Sequence, residues 1–200
     1  MASLGPDDLV ANGTMSRGIA ATLRHIAEKR RSYLVIALPR MAGKSTVGKA
    51  ILDVAKKAGA TIRELGLDGT DVAALAREAR GGYLYVPEVS KFPVTEGYVW
   101  GAPVRAAFAE IKEGTNLSTA LHADSPRDAL DILRQNRIGD EDLARLEALI
   151  HIRSLGEDWR NPTRRVIAGV YELRDGEPTA LHIWDEVNDR FEDVAKPKRL

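Results

Sequence analysis

The sequence predicts an α/β fold: a mostly parallel sheet flanked by helices, with an antiparallel β extension at its C-terminal end. Three observations carry this. An apolar run, Tyr33-Leu34-Val35-Ile36-Ala37-Leu38, leads through Pro39-Arg40-Met41-Ala42 into Gly43-Lys44-Ser45-Thr46 and then into a helical pattern. Through the first two-thirds of the chain such apolar runs alternate with helical periodicity, the signature of βαβ units and parallel pairing. Beyond residue 149, β-type runs follow one another with turn residues between them. The expected organisation is one domain over 1–195, with an α/β core over 1–149, a β-rich extension over 150–195, and a frayed tail at 196–200.

Taken in order, Ile19, Leu23 and Ile26 recur at helical spacing and predict a helix from Ser16 to Lys29. The helix after the Gly43 loop spans Ser45 to Ala58, carries Val47, Ile51, Leu52 and Val54, and stops at Gly59. Ala60 to Leu65 is a short strand, and Asp71 to Arg80 a helix ended by Gly81-Gly82. Tyr83 to Val86 is a buried strand closed by Pro87-Glu88, and a loop containing Phe92, Pro93 and Gly97 follows. Pro103 to Glu113 is helical, and Leu117 to Leu121 is a strand ending at His122. Ser125-Pro126-Arg127-Asp128 marks a helix start, with an N-cap serine, proline at the first helical position and an acidic residue at the third. A short helix from Glu141 to Leu149 precedes β-runs at Ile150–Ile152, Arg165–Leu173 and Ala180–Trp184, with turn signals at Gly156, Asn161-Pro162 and Asp175-Gly176.

Composition narrows the function classes. Two hundred residues, 44% hydrophobic and 29% charged, suit a globular domain, and a formal net charge of zero gives no general attraction to nucleic acid or anionic membranes. There is no cysteine, so disulfides and thiolate metal sites are excluded. No apolar stretch is long enough to span a bilayer, and Asp7 and Asp8 do not suit a signal peptide; the expected location is cytoplasmic.

Strand, loop, Gly-Lys-Ser-Thr and helix in that order form the layout of a phosphate-binding loop, in which backbone N–H groups and a helix N-terminus converge on an anion. The residues offered to ATP are Pro39, Arg40, Met41, Ala42, Gly43, Lys44, Ser45 and Thr46, with Lys44 on the terminal phosphates and the Ser45 hydroxyl on Mg²⁺. The alternative is a buried strand entering a helix, with Lys44 as a solvated charge. Leu38 stands where the loop pattern opens with glycine, and a Cβ there restricts the backbone. Glu88, at the carboxyl end of a strand, is placed either to orient a water and hold Mg²⁺ through water, or to pair with a cation as structure. His122, at a similar edge, is placed either to sense a terminal phosphate or to be hydrogen-bonded structure. His25, His151 and His182 have no metal-site spacing.

In this order the landmarks resemble the type II/type IV secretion and pilus-motor ATPases, RecA-like P-loop proteins, and among them the archaeal and Tad-like branch. Pro39–Thr46 is similar to the family's phosphate loop, Val72–Arg80 to its arginine-bearing helix, and Tyr83–Glu88 to its Walker B strand. Leu117-Ser118-Thr119-Ala120-Leu121-His122-Ala123-Asp124-Ser125 resembles its histidine box, and Arg164-Arg165-Val166-Ile167 and Ile183-Trp184-Asp185 its β-rich end. The resemblance runs from about Gly13 to Phe191 and implies a RecA-like core with Glu88 and His122 as catalytic residues. It also implies ring assembly, with Arg77 and Arg80 contributing to a neighbour's site, and partners among cell-envelope secretion or pilus components. Because it begins near Gly13, a reduced form without the family's N-terminal domain is expected. The departures are Leu38 and Met41 at loop glycine positions, Pro87 before the glutamate, Val89-Ser90-Lys91 in place of an arginine–aspartate pair, and only Glu64 to stand for an acidic box.

The expected function is Mg-ATP binding with slow or assembly-dependent hydrolysis. The alternatives are a non-catalytic nucleotide-sensing or assembly subunit with a degenerate loop, and a small-molecule P-loop kinase using Arg134 and Arg137 as a lid.

Overall fold

The strand that leads into the Gly43 loop lies in the middle of the molecule. In a computed structural model, which describes residues 4–66, 71–91, 97–174 and 176–200, β1 (Tyr33–Ile36) is buried on both faces. It pairs in parallel with β5 (Asn116–Leu121) on one side and β6 (Ala148–Leu155) on the other. Around it the sheet extends through β3 (Tyr83–Val89) to β2 (Ile62–Glu64), with β4 (Tyr98–Val99) also parallel to β3. On the other flank β7 (Arg164–Arg174), β8 (Glu177–Asp185) and β9 (Arg190–Asp193) follow β6 as antiparallel neighbours.

Helices cover both faces, as a sheet with parallel strands requires. Alternation along β1 sends Tyr33 and Val35 to a core with α2 (Arg17–Glu28) and α3 (Lys44–Lys57), and α1 (Pro6–Ala11) closes its end. Leu34 and Ile36 face a second core formed with α4 (Val72–Glu78), α5 (Ala102–Ala109), α6 (Pro126–Gln135) and α7 (Asp140–Leu143). Ser16, Asp71 and Ser125 cap α2, α4 and α6 by accepting from backbone N–H groups three residues on. The start of β1 is pinned: Ser32 N–H donates to Glu147, Ser32 Oγ accepts from Leu117 N–H, and Ser32 O accepts from Glu147 and Ala148 N–H. At Gly82 a Cβ would lie 2.0 Å from Thr61 O, so only glycine allows β3 to start so close to that backbone.

Several expectations change. Strand β3 does not close before Pro87; it runs to Val89, and its register with β5 shifts between Val86 and Val89, where proline has no N–H for a ladder. The helix expected over Glu141–Leu149 is only Asp140–Leu143, because Ala148 and Leu149 enter β6 beside β1. The 149/150 boundary thus falls inside a strand that pairs in parallel with the core, and the antiparallel part begins at β7. The Pro103–Glu113 helix splits into α5 and a 3-10 turn at Glu110–Glu113. Helix α1 and strands β4 and β9 carry no signal noted in the sequence. The expectations at Phe92, Pro93 and Asp175 lie outside the described residues. No helix of the described residues is long and apolar enough to cross a membrane.

The tail is tied down rather than frayed. Backbone N–H groups of Lys198 and Leu200 donate to Glu172 Oε1 at 2.9 Å each, as does that of Arg199, and the Arg174 guanidinium donates to Oε2 at 2.6 Å. Burial by itself would raise this carboxyl, but the Arg199 N–H, Arg174 and the N–H groups of Leu200 and Lys198 outweigh it and hold the pKa down to about 2. A folded value below the ordinary 4.5 means that the contribution is complete above that pH and is lost as pH falls toward 2. It is on the order of 3 kcal/mol at most. Glu172→Gln is therefore expected to lower stability at pH 7 by about 1–3 kcal/mol and to flatten the acid dependence between these limits, as measured by denaturant melts at pH 7, 4 and 3. Parallel pH profiles for the two proteins would refute the tail clamp.

Candidate functional site

The loop leaves β1 at the carboxyl edge of the sheet, where open α/β sheets bind ligands. Gly43 closes it at φ +100°, a left-handed conformation that favours glycine, and serves as the N-cap of α3. No side chain caps α3, so the N–H groups of its first turn face the loop without a capping partner. Lys44 is its first residue, Ser45 and Thr46 follow on the exposed side of that turn, and Arg40 stands exposed at the loop tip.

Three sequence-predicted residues from different elements meet over this loop. Lys44 Nζ lies 3.5 Å from Glu88 Oε1 on β3 and 3.1 Å from His122 Nδ1, just beyond β5. His122 Nε2 lies 3.4 Å from the same Glu88 oxygen. Both Lys44 and Glu88 are buried, at 6% and 8% exposure. With Arg40, Ser45, Thr46 and two further residues, Tyr98 and Arg165, they line a cavity of about 430 Å³.

The electrostatics of the pair follow from burial. Desolvation pushes the Glu88 carboxyl up, opposed by the charges of Lys44 and His122, and pushes the Lys44 ammonium down, opposed by Glu88. Glu88 Oε1 is enclosed between Lys44 and His122, yet among the described residues it accepts no hydrogen bond of good geometry. His122 Nδ1 lies between an acceptor, Leu38 O at 2.9 Å, and a donor, Lys44 Nζ at 3.1 Å, and the ring's tautomer decides which of the two it bonds. His122 Nε2 pairs with the Tyr98 hydroxyl at 3.2 Å.

Two loop side chains behave differently from each other. Leu38 stays out of the left-handed region, so its Cβ imposes no positive-φ strain there. Met41 takes φ +60°, and Arg165 Nε holds its carbonyl at 3.0 Å. Arg77 and Arg80 are not part of this assembly: Arg77 is exposed with Asp71 4.0 Å away, and Arg80 sits near the amino end of β3, opposite Glu88. Arg134 is bonded to Asp131 and Asp140, and neither it nor Arg137 lines the cavity. Sequence reasoning did not single out Tyr98, which follows an uninformative loop, or Arg165 as a site residue, although the β-run that carries it was recognised.

A scan of the sequence against protein-family models finds no match, and no curated protein matches it. The fold, mixed α/β with one large sheet, is similar to a crystal structure of the VirB11 ATPase from the Brucella suis type IV secretion system in complex with sulphate, with TM-score 0.57 and 17% identity. The likeness covers 86% of this chain and 57% of that one, so the chain spans little more than half of its neighbour's length.

A non-glycine residue held left-handed costs about 1–2 kcal/mol. Met41→Gly is accordingly expected to be neutral or stabilising by up to about 1 kcal/mol, whereas Leu38→Gly costs about 0.5–1 kcal/mol through backbone entropy alone. Thermal melts of the two variants check this. The reverse order would show that Arg165 and the surrounding loop, not the Met41 backbone, set the local strain.

Proposed function

We propose that the protein is a nucleotide-binding module with a RecA-like P-loop core, taking Mg-ATP and hydrolysing it slowly or only when assembled, in the manner of secretion ATPases. The observation that carries this reading is the convergence of Lys44, Glu88 and His122 on one cavity at the uncapped start of α3. The fold likeness supports the class but not the chemistry.

The residues present fit such a ligand. The first-turn amides of α3 and the Lys44 ammonium suit phosphate oxygens, and the Ser45 hydroxyl suits a magnesium ion. With Glu88 acting through water, that hydroxyl and the phosphate oxygens would make up the metal's ligands. When bound, Mg-ATP supplies the electrophilic phosphorus and its charge neutralisation. Lys44 then draws the terminal phosphates toward the loop and away from its pairing with Glu88. Released, Glu88 offers its carboxylate to a water and takes the proton, a task suited to a carboxyl whose burial makes it a stronger base once ionised. His122, steadied by Leu38 O and Tyr98, reads the terminal phosphate.

The second reading is a nucleotide-sensing or assembly subunit without turnover. It is favoured by Met41 in the left-handed position of the loop and by a Glu88 already engaged with Lys44. Both readings set the protein at the cytoplasmic side of a cell-envelope assembly, with a neighbouring copy completing the site. A kinase reading gains nothing from Arg134, which is committed to Asp131 and Asp140.

Lys44→Ala is expected to abolish Mg-ATP binding in calorimetry. Unchanged affinity in the folded variant would remove the phosphate-loop assignment. Glu88→Gln should retain binding and lower phosphate release by about 10²-fold or more, with His122→Ala closer to tenfold. Equal turnover of wild type and Glu88→Gln would make that carboxylate structural, and no turnover at any protein concentration would favour the sensing subunit.

A further inference from the structure

Two residues of the loop have left-handed backbone, Met41 at φ +60° and Gly43 at φ +100°. Gly43 adopts it freely, whereas at Met41 the Cβ makes it costly. Arg40 and Met41 form the middle of a turn with Arg40 at negative φ, and a left-handed residue at the third position of a turn is ordinarily glycine. The Met41 side chain recovers nothing by packing, since it is 65% exposed.

What holds this turn comes from outside it. Among the described residues, no well-formed backbone–backbone hydrogen bond engages residues 39–42. Arg165 of β7 supplies the anchor, its Nε donating to Met41 O at 3.0 Å. The Cδ of the same side chain lies 3.2 Å from where a Cβ on Gly43 would be, so Arg165 lies against both left-handed residues. Its own position is fixed by the antiparallel ladder, in which Arg165 stands opposite Ser154 on the flank of β1 away from Glu88.

We infer that Arg165 is a positioning residue for the phosphate loop, holding Met41 in the left-handed turn that glycine would adopt unaided; the inference rests on the phosphate-loop reading above. Rotation about the Met41 N–Cα bond re-aims its carbonyl. Met41, Ala42 and Gly43 all line the phosphate cavity, so a Met41 relaxed to negative φ is free to swing that oxygen toward the anion. Held by Arg165, the oxygen is occupied, and the chain reaches the uncapped start of α3 in its binding shape before the ligand arrives.

Arg165 also carries a charge into a cavity that Arg40 and Lys44 already line. A cation acting on phosphate oxygens depends on that charge. A residue acting through Met41 depends instead on the Nε donor, and matters only while residue 41 is not glycine. Lysine keeps the charge but has a methylene where Nε stands, and glutamine places an amide nitrogen there without the charge.

Calorimetry of Mg-ADP binding to the full chain tests this. Arg165→Lys is expected to weaken binding about tenfold, the equivalent of imposing a left-handed non-glycine residue at the moment of binding. In a Met41→Gly background the same change should cost less than about threefold, because the two residues act as a unit. Arg165→Gln should bind more tightly than Arg165→Lys by about threefold or more; this order needs no change at Met41 and stands if the double variant does not fold. Equal losses on Arg165→Lys in the two backgrounds, or tighter binding by Arg165→Lys than by Arg165→Gln, would overturn the inference, make Arg165 a direct phosphate cation and leave the phosphate loop intact. An Arg165→Lys variant with wild-type affinity would overturn it too. Failure of the wild type to bind Mg-ADP would overturn the phosphate-loop reading, and this one with it.

Discussion

The double-sided burial of β1 is the constraint on which the rest depends. A strand with both faces in apolar cores and both edges in parallel ladders has no freedom to slide, because a one-residue slip would exchange its two faces. The pinning of Ser32 by Glu147 and Leu117 fixes its starting point as well. The loop therefore leaves the sheet at a defined place, and β3 and β5, held in register on one side, bring Glu88 and His122 to Lys44. Side chains 44 and 78 residues away from Lys44 meet it because the sheet leaves them nowhere else to go.

That convergence runs against stability. Two buried opposite charges lose hydration that their attraction only partly returns, and replacing such a pair by apolar residues is often neutral or favourable. Here the pair is also incompletely hydrogen-bonded, with a Glu88 oxygen left, among the described residues, without a hydrogen bond of good geometry. The same loop holds a methionine in a conformation that suits glycine. A chain selected for packing alone would keep neither feature, and their co-location at one sheet edge is the physical reason to regard this as a working site.

What was legible in the sequence was what local pattern encodes. Ser125-Pro126 announced α6, the apolar run and Gly-Lys-Ser announced β1 and α3, and the spacing of Ile19, Leu23 and Ile26 announced α2. Partner choice was not legible. The run at Ile150–Ile152 reads as β, but nothing in its composition says that it pairs in parallel with β1 rather than opening the antiparallel extension. Pro87 reads as a strand end, yet a register shift absorbs its missing N–H. Tyr98 and Arg165 reach the site through tertiary placement, and Glu172 binds a tail 26–28 residues further along. No periodicity records such pairings.

The sheet ends on two short, charged strands. β2 contributes three residues, with Arg63 and Glu64 exposed, and β9 contributes four, with Arg190 and Asp193 exposed. Unpaired strand edges invite a second chain to add its own strand, and brevity and charge are the means by which open sheets discourage this. Both edges thus discourage copies of this protein from running their sheets together into a continuous ribbon. An association made by helices and loops would leave untouched the backbone ladder that holds the Gly43 loop in place.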